Sequence, residues 1–339
     1  PYAGSIEWED NAKKATTVGL LLGFVPNETD GWTYTLNNIE RSYENALTYG
    51  ESRPVGANAE TDIYSVDPDQ IPIGIQDFIG AQYLEMVKVL GVRTAELHRS
   101  LASLTGNKAL EPEAFSLLYQ KSLHQAIRGM VMKTLGELET AGARLDDTVS
   151  AGAPGPVSDA IARVVARKNE ILARIRSVSS RKIAGLKTRT HGDYHLGQVL
   201  HNGKDFIVID FEGEPARPIS ERRLKQSPLR DVAGMVRSFH YAAHGAVFLR
   251  GVRHGADYEN LKNWADLWFT YTAGTYLQVY RSAMRDGHIV PADDSDFVVL
   301  LETFLLEKAV YEIGYELNNR PDWIMIPIHG IEAILDQKE

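Results

Sequence analysis

The sequence of 339 residues contains no cysteine. That absence excludes disulfide scaffolds, thiol nucleophiles, thiolate metal sites and dithiol redox chemistry. Long hydrophobic runs are missing too, since no stretch reaches the roughly 18 uninterrupted apolar residues that a membrane helix needs. The first residues, Pro1 to Trp8, have neither the basic nor the apolar region of a secretory signal. A soluble cytoplasmic protein is the expectation. Positive charge is in deficit, with 36 Lys and Arg against 45 Asp and Glu, a net −9. Nucleic-acid and anionic-membrane binders usually carry the opposite balance, so neither is expected as a partner. There is no internal repeat and no low-complexity tract. What remains is a globular composition, 44% hydrophobic and 24% charged. At roughly 150 residues per domain, its length suggests two domains or lobes.

Tyr2 to Trp8 and Thr16 to Val25 are β-prone, and the polar run Glu9 to Lys14 between them reads as a hairpin turn. Pro26 and Asn27 end the second strand. Asp30 is a candidate N-cap, and Trp32, Leu36, Ile39, Tyr43 and Leu47 then recur at helical spacing. Residues 50–73 read as a loop. Phe78 to Ser103, Pro112 to Ala141 and Val157 to Ser179 each carry a helical pattern, and so does the tail from Leu261 to Leu335. Arg163, Arg167, Arg174 and Arg176 read as a solvated helix face rather than a phosphate site. Two short strands interrupt the helices, Gln198 to His201 and Phe206 to Asp210, around the hairpin signal Asn202-Gly203. The pattern is α+β and two-lobed: a few strands, a hinge-like segment, then a large helical lobe holding one β-hairpin.

The chemistry gathers at that hairpin. Thr190-His191-Gly192-Asp193-Tyr194-His195-Leu196-Gly197-Gln198 leads into its first strand, and Asp210-Phe211-Glu212 ends its second. A two-residue turn folds the strands back, so Asp193 and Asp210 are expected to converge at one end of the hairpin with Gln198 nearby. One carboxylate there can accept a proton from a hydroxyl. The other, with an amide oxygen, can hold Mg²⁺, a hard cation that takes one or two carboxylates plus phosphate oxygens. A base beside a metal-bound phosphate is the layout of phosphoryl transfer. A zinc site on His191, Asp193 and His195 is disfavoured, because histidines at i and i+4 share a face only on a helix, which Gly192 and Gly197 oppose.

His191-Gly192-Asp193 with Asp210 resembles the catalytic loop and metal-binding strand of aminoglycoside-phosphotransferase-like kinases, a branch of the protein-kinase-like fold. The runs His191 to Leu200, Ile209 to Pro215 and Ser227 to Met235 resemble more particularly the maltokinase family. Gly23 to Asn27 with Trp32, Leu90 to His98, Lys308 to Glu316 and Asn319 to Pro321 extend that resemblance over nearly the whole chain. It implies a protein-kinase-like fold, with residues 1–28 the remnant of an N-lobe. Residues 29–339 would form a mainly helical C-lobe that carries the catalytic loop, 190–214. It implies ATP- and Mg²⁺-dependent phosphorylation of maltose to maltose 1-phosphate, in bacterial trehalose and α-glucan metabolism, by an enzyme that stands alone or is fused to trehalose synthase. Asp193 would be the base, Gln198 and Asp210 the Mg²⁺ ligands, and Gly23, Phe24 and Val25 the hinge that binds adenine. Gln198 stands where the wider group usually has Asn, which keeps an amide oxygen at a longer reach. Only 22 residues precede Gly23, with no phosphate-covering loop among them. The expectation is a chain whose N-terminal portion lies outside this sequence, or a truncated kinase.

His195, two residues past the base, is expected to contact the sugar, whereas His191 is expected to brace the loop. Asp231, in the first turn of an apolar helix, is expected to support that loop. Lys308, Tyr311 and Tyr315 share one helix face, and a Lys there does not suit an apolar core. With the resemblance, they are expected to line the disaccharide site. Trp264 and Trp268 read as core. Two alternatives stand beside the maltokinase reading. One is a related kinase with another acceptor, such as an aminoglycoside, and the other is an inactive kinase-like module attached to trehalose synthase.

Overall fold

The computed structural model describes residues 2–9, 11, 15–49, 61–149, 157–249 and 255–337. The chain opens with a hairpin, β1 (Tyr2–Glu9) against β2 (Ala15–Leu22). Ile6, Trp8, Leu20 and Leu22 on it are each more than half exposed. Lys13 and Lys14 lie outside the described residues. β3 (Thr29–Asp30) follows, then α1 (Gly31–Tyr49), which Asp30 caps by accepting the Thr33 N–H at 2.8 Å.

Next come α2 (Ile73–Ile79), α3 (Ala81–Ala102), β4 (Glu113–Ala114), α4 (Leu117–Val149), α5 (Val157–Ala166), α6 (Lys168–Ser177) and β5 (Leu186–Lys187). A 3₁₀ turn, Leu196–Gln198, leads into β6 (Val199–His201) and β7 (Phe206–Val208). The helices α7 (Ile219–Arg222), α8 (Leu229–Leu249), α9 (Gly255–Met284), α10 (Asp294–Asn319) and α11 (Met325–Asp336) complete the chain. The fold is mixed α/β and mostly helical, with three small sheets among the described residues: β1-β2, β3-β6-β7 and β4-β5.

Sequence periodicity misplaces several boundaries for identifiable reasons. The pattern from Phe78 to Ser103 is not one helix but is cut at Gly80, whose φ of +99° ends α2. Arg167 likewise divides the Val157–Ser179 pattern into α5 and α6. The β6–β7 hairpin closes through four residues, not two, since His201 already pairs with Phe206. Asn202 holds that turn by accepting the N–H groups of Lys204 (3.1 Å) and Asp205 (2.9 Å). Of the expected loop 50–73, residues 50–60 lie outside the described residues.

Burial explains how the body holds together. α8 packs against both α9 and α10, and α3 lies along α9. Phe239, Trp268, Tyr276 and Phe304 are essentially inaccessible between them, and Trp264 is buried as well. At about 25 cal/mol per Å² of apolar surface removed from water, side chains of this size dominate the gain on folding. Three of the four arginines of the arginine face are paired: Arg163 with Glu332, Arg167 with Glu170 and Asp336, and Arg174 with Glu302. Among the described residues, no helix is long and apolar enough to cross a membrane.

Candidate active site

β3 pairs with β6 (Thr29 with His201, Asp30 with Leu200), and β6 pairs with β7 (Val199 with Val208). The segment leaving Gly23–Val25 therefore runs beside the hairpin that carries Gln198 and Asp210. Gly23 and Val25 are half-buried, Phe24 is 86% exposed, and the Val25 carbonyl accepts from Asn27 Nδ2 at 3.0 Å.

The loop before β6 is fixed from below. Asp231, buried in the first turn of α8, accepts the backbone N–H of His191 on Oδ2 at 2.7 Å and that of Gly192 on Oδ1 at 3.0 Å. His98 Nε2, on α3, lies 3.2 Å from the same Oδ2, and its Nδ1 lies 2.9 Å from the Tyr280 hydroxyl. Burial alone would raise the Asp231 pKa, but His98, His191 and the Gly192 N–H hold the carboxyl below its ordinary value. His191 Nδ1 accepts the Asp193 N–H at 3.3 Å, so its Nε2 carries the proton and donates to the Ile209 carbonyl at 2.7 Å. His191 thus joins the turn before Asp193 to the residue before Asp210. Gly234 lets α8 approach this loop, because a Cβ there would stand 2.6 Å from the Tyr194 carbonyl.

Asp193 itself is largely buried, with 16% of its side chain exposed. Burial, followed by the nearby negative charge of Glu214, pushes its pKa up to about 6. Lys308 and His191 act in the opposite direction. His195 Nε2 lies 3.8 Å from Asp193 Oδ2, and its Nδ1 accepts the Gly197 N–H. Burial, then Lys308 and His191, push the His195 pKa down to about 4, leaving a neutral ring at pH 7.

Gln198 and Asp210 flank the open end of the hairpin, where the Ile209 N–H donates to the Gln198 carbonyl at 3.0 Å. Asp210 adopts φ +61°, an αL conformation that Asp tolerates better than most residues. Among the described residues, neither side chain makes a hydrogen bond or close ion pair within the protein. Two unengaged hard oxygen donors fit Mg²⁺, provided phosphate oxygens fill the rest of its shell. No cluster of three or more His, Asp or Glu among the described residues could hold a metal without such help.

Lys308 and Tyr311 of α10 face Asp193 across a small cavity of about 40 Å³, which Glu214, Arg217, Arg230 and Glu307 also line. Glu307 is tied to Arg230 in a close ion pair and to Arg217 at 3.7 Å. Lys308 Nζ lies 3.6 Å from Glu214 Oε2 and 5.0 Å from the Tyr311 ring centroid. Burial, then Glu214, push the Tyr311 hydroxyl up to about 12. Tyr315 is not brought to this cavity: it is 45% exposed and stacks its ring under Arg320, 5.4 Å away. The helical spacing is right, but seven residues carry Tyr315 about 10 Å along the helix axis from Lys308, away from the cavity.

Glu214, Arg217, Arg230, Glu307 and His98 went unnoticed in the sequence as site residues. The first two lie in a loop with no periodicity, and the others look like ordinary charges on helices. A larger cavity of about 600 Å³ opens between α1, the α2–α3 junction and the Asn202-Gly203 turn, lined by Tyr34, Arg41, Asp77 and His201. None of the residues discussed above as catalytic lines it.

Comparison with known proteins follows this geometry. A glucosamine kinase of Streptacidiphilus jiangxiensis is 25% identical over 241 residues, covering 69% of this chain and 52% of that protein. One of Mycolicibacterium smegmatis is 24% identical over 339 residues, covering 98% of this chain and 67% of that protein. Solved glucosamine kinase structures share the fold. One in complex with glucosamine, ADP and inorganic phosphate superposes with a TM-score of 0.64 at 18% identity, over 95% of this chain and 61% of that one. A second crystal form gives 0.66 over 98% of this chain and 65% of that one, also at 18% identity. The chain thus spans between about half and two thirds of the proteins it matches. No family model matches it.

Proposed function

We propose that this chain carries the phosphoryl-transfer site of an ATP-dependent sugar kinase, with maltose as acceptor and maltose 1-phosphate as product. One observation carries the reading. A buried carboxyl with a raised pKa, Asp193, lies between the donors of α10 and a hairpin end that presents Asp210 and Gln198 unengaged. The relatives named glucosamine kinase support phosphoryl transfer to a sugar as the coarse activity.

Asp193 takes the proton of the reacting hydroxyl as that oxygen bonds to the γ-phosphorus of ATP. The bond to the β,γ-bridging oxygen then breaks, and ADP leaves. Asp210 and Gln198 would hold Mg²⁺, which neutralises charge on the transferring phosphates. Lys308 and Tyr311 donate hydrogen bonds to the acceptor, and neutral His195, 3.8 Å from Asp193, is a further sugar contact in this reading. Gly23, Phe24 and Val25 are the nucleotide hinge in this reading. Residues 1–28 then belong to the smaller lobe of a two-lobed kinase and residues 29–339 to the larger, in a protein that acts alone or joined to a trehalose synthase.

A second acceptor, glucosamine, is favoured by the names of the relatives. Lys308 in the acceptor wall opposes an ammonium group, whereas the Asp193 and Glu214 carboxyls of the same cavity would accept one, so the two sugars are separated by experiment. The test is ³¹P NMR of the full-length protein with Mg-ATP and either sugar. An anomeric phosphate on maltose is expected, with Lys308→Ala raising KM for maltose more than for ATP. Phosphorylation of glucosamine with none of maltose would overturn the acceptor assignment. Transfer to neither sugar would overturn the kinase reading.

A further inference from the structure

Of the four carboxylates that line the acceptor cavity, Asp193 is the base, Asp231 holds the loop before it and Glu307 is held by arginines, which leaves Glu214. Its position is built from backbone. The loop after β7 turns through Asp210 at φ +61° and Gly213 at φ +77°. Gly213 lies directly against the catalytic loop, so that a Cβ on Gly192 would come within 3.2 Å of the Gly213 Cα. On the far side, Arg222 donates to the carbonyls of Pro215 and Arg217, each at 2.8 Å, and pins the loop. Two loops in backbone contact thus each deliver a carboxyl to the same 40 Å³ cavity, which has room for about one water.

Three groups meet the Glu214 carboxyl there. It lines the same cavity as Asp193 and Tyr311, and burial, then its negative charge, raise the pKa of both. Lys308 Nζ stands 3.6 Å away. Glu214 therefore stands on the ground an acceptor would take, facing the base and both donors of α10. Two carboxyls side by side match two hydroxyls on adjacent ring carbons, because vicinal oxygens of a pyranose are spaced like one hydrogen-bonded pair.

We propose that Glu214 is a specificity-determining residue that accepts a hydrogen bond from the sugar hydroxyl vicinal to the one phosphorylated, so that the site selects a 1,2-diol. The inference rests on the kinase reading above. When the diol enters, its reacting hydroxyl donates to Asp193, and the neighbouring hydroxyl donates to Glu214. Lys308 and Tyr311 donate to sugar oxygens. Hydrogen bonds to a buried charged group discriminate strongly, since an analogue that lacks the partner leaves the carboxylate unpaired.

The experiment compares maltose with its analogue deoxygenated at carbon 2 of the reducing unit, using the full-length wild type, Glu214→Gln and Glu214→Ala. The wild type is expected to lose about 10- to 100-fold in kcat/KM on the deoxy sugar. Glu214→Ala is expected to lose a similar factor on maltose, to discriminate no further between the two sugars, and to keep its KM for Mg-ATP. In Glu214→Gln, which keeps the shape of the side chain, the acid limb of kcat/KM should move to lower pH, because a like charge beside Asp193 is gone. Transfer by the variants with undiminished discrimination, or with an unmoved acid limb, would overturn the role of Glu214 alone. Absence of transfer to maltose in the wild type would overturn the acceptor assignment and this role together.

Discussion

Replacing Asp231 by alanine removes the single group beneath the catalytic loop that accepts two backbone N–H bonds. The side chain is 1% exposed, so no water reaches the N–H groups of His191 and Gly192 once their acceptor is gone. Each buried donor left without a partner costs about 1–3 kcal/mol. His98 loses its partner at 3.2 Å as well, and α8 loses an acidic group in its first turn, worth about 0.3–1 kcal/mol. The expected loss is about 3–6 kcal/mol, a large share of the 5–15 kcal/mol that holds an ordinary domain together. Asp231→Asn keeps one acceptor but turns an amide N–H toward a backbone N–H, and should lie between alanine and wild type. Urea titration followed by far-ultraviolet circular dichroism measures the shift. Because the two donors belong to the residues just before Asp193, Asp231→Asn should also lose phosphoryl transfer where it remains folded. A loss below about 1 kcal/mol in Asp231→Ala would refute the account of the loop as hung on this carboxylate.

Asp193→Asn should fold normally and lower turnover by about 10²- to 10⁴-fold, the range for losing a general base, while sugar affinity measured by calorimetry stays close to wild type. Since the base works deprotonated and its pKa is raised to about 6, kcat/KM should fall as pH drops through about 6 and level off above 7; a profile flat from pH 5 to 8 would contradict this. Asp210→Ala should abolish Mg²⁺-dependent nucleotide binding, and unchanged affinity in calorimetry would remove it from the metal site. Away from the site, burial holds His240 well below its ordinary pKa, and burial, then His244 and Lys262, hold His329 at about 3. Both are neutral when folded but take a proton near pH 6.5 when unfolded, so stability should decline as pH falls below about 6.5, at up to about 1.4 kcal/mol per unit for each histidine. His329→Leu should flatten that decline in urea titrations run between pH 7 and 4.

How much of this was legible in the sequence depends on the range of the interactions involved. The cap at Asp30, the buried Trp264 and Trp268 and the β6–β7 hairpin all follow from local chemistry, and the structure contains them. The order His191, Asp193, Gln198, Asp210 was legible for the same reason, because a hairpin converts short sequence separation into proximity. Helix breaks were not. Gly80 sits in an unbroken apolar pattern, and only its φ of +99°, with Asn38 Nδ2 donating to the Ile79 carbonyl, separates α2 from α3.

The acceptor cavity was half legible, and the missing half is instructive. Lys308 drew notice because an ammonium group does not suit a core-facing stripe. By the same spacing Tyr315 was drawn in as well, although seven residues set it about 10 Å along the helix axis from Lys308, where it lies under Arg320. Glu214 drew none, for it stands in an irregular loop where a carboxylate is the commonest of surface residues. Its significance comes from three neighbours in the cavity, Asp193, Tyr311 and Lys308, and two of them lie about a hundred residues away in the chain. What would flag such a residue from sequence is the glycine before it: Gly213 at positive φ, pressed against Gly192, is the feature that sets one carboxyl beside another. A Gly192→Ala variant therefore tests the geometry without touching either carboxyl. Its φ of +87° and the 3.2 Å approach to Gly213 both resist a Cβ, so the loops must part by a few tenths of an ångström. Turnover should fall, and the acid limb of kcat/KM should move to lower pH as Glu214 withdraws from Asp193. A fall in turnover with the acid limb unmoved would mean that the contact between the loops positions Asp193 alone and leaves its partner carboxyl where it was.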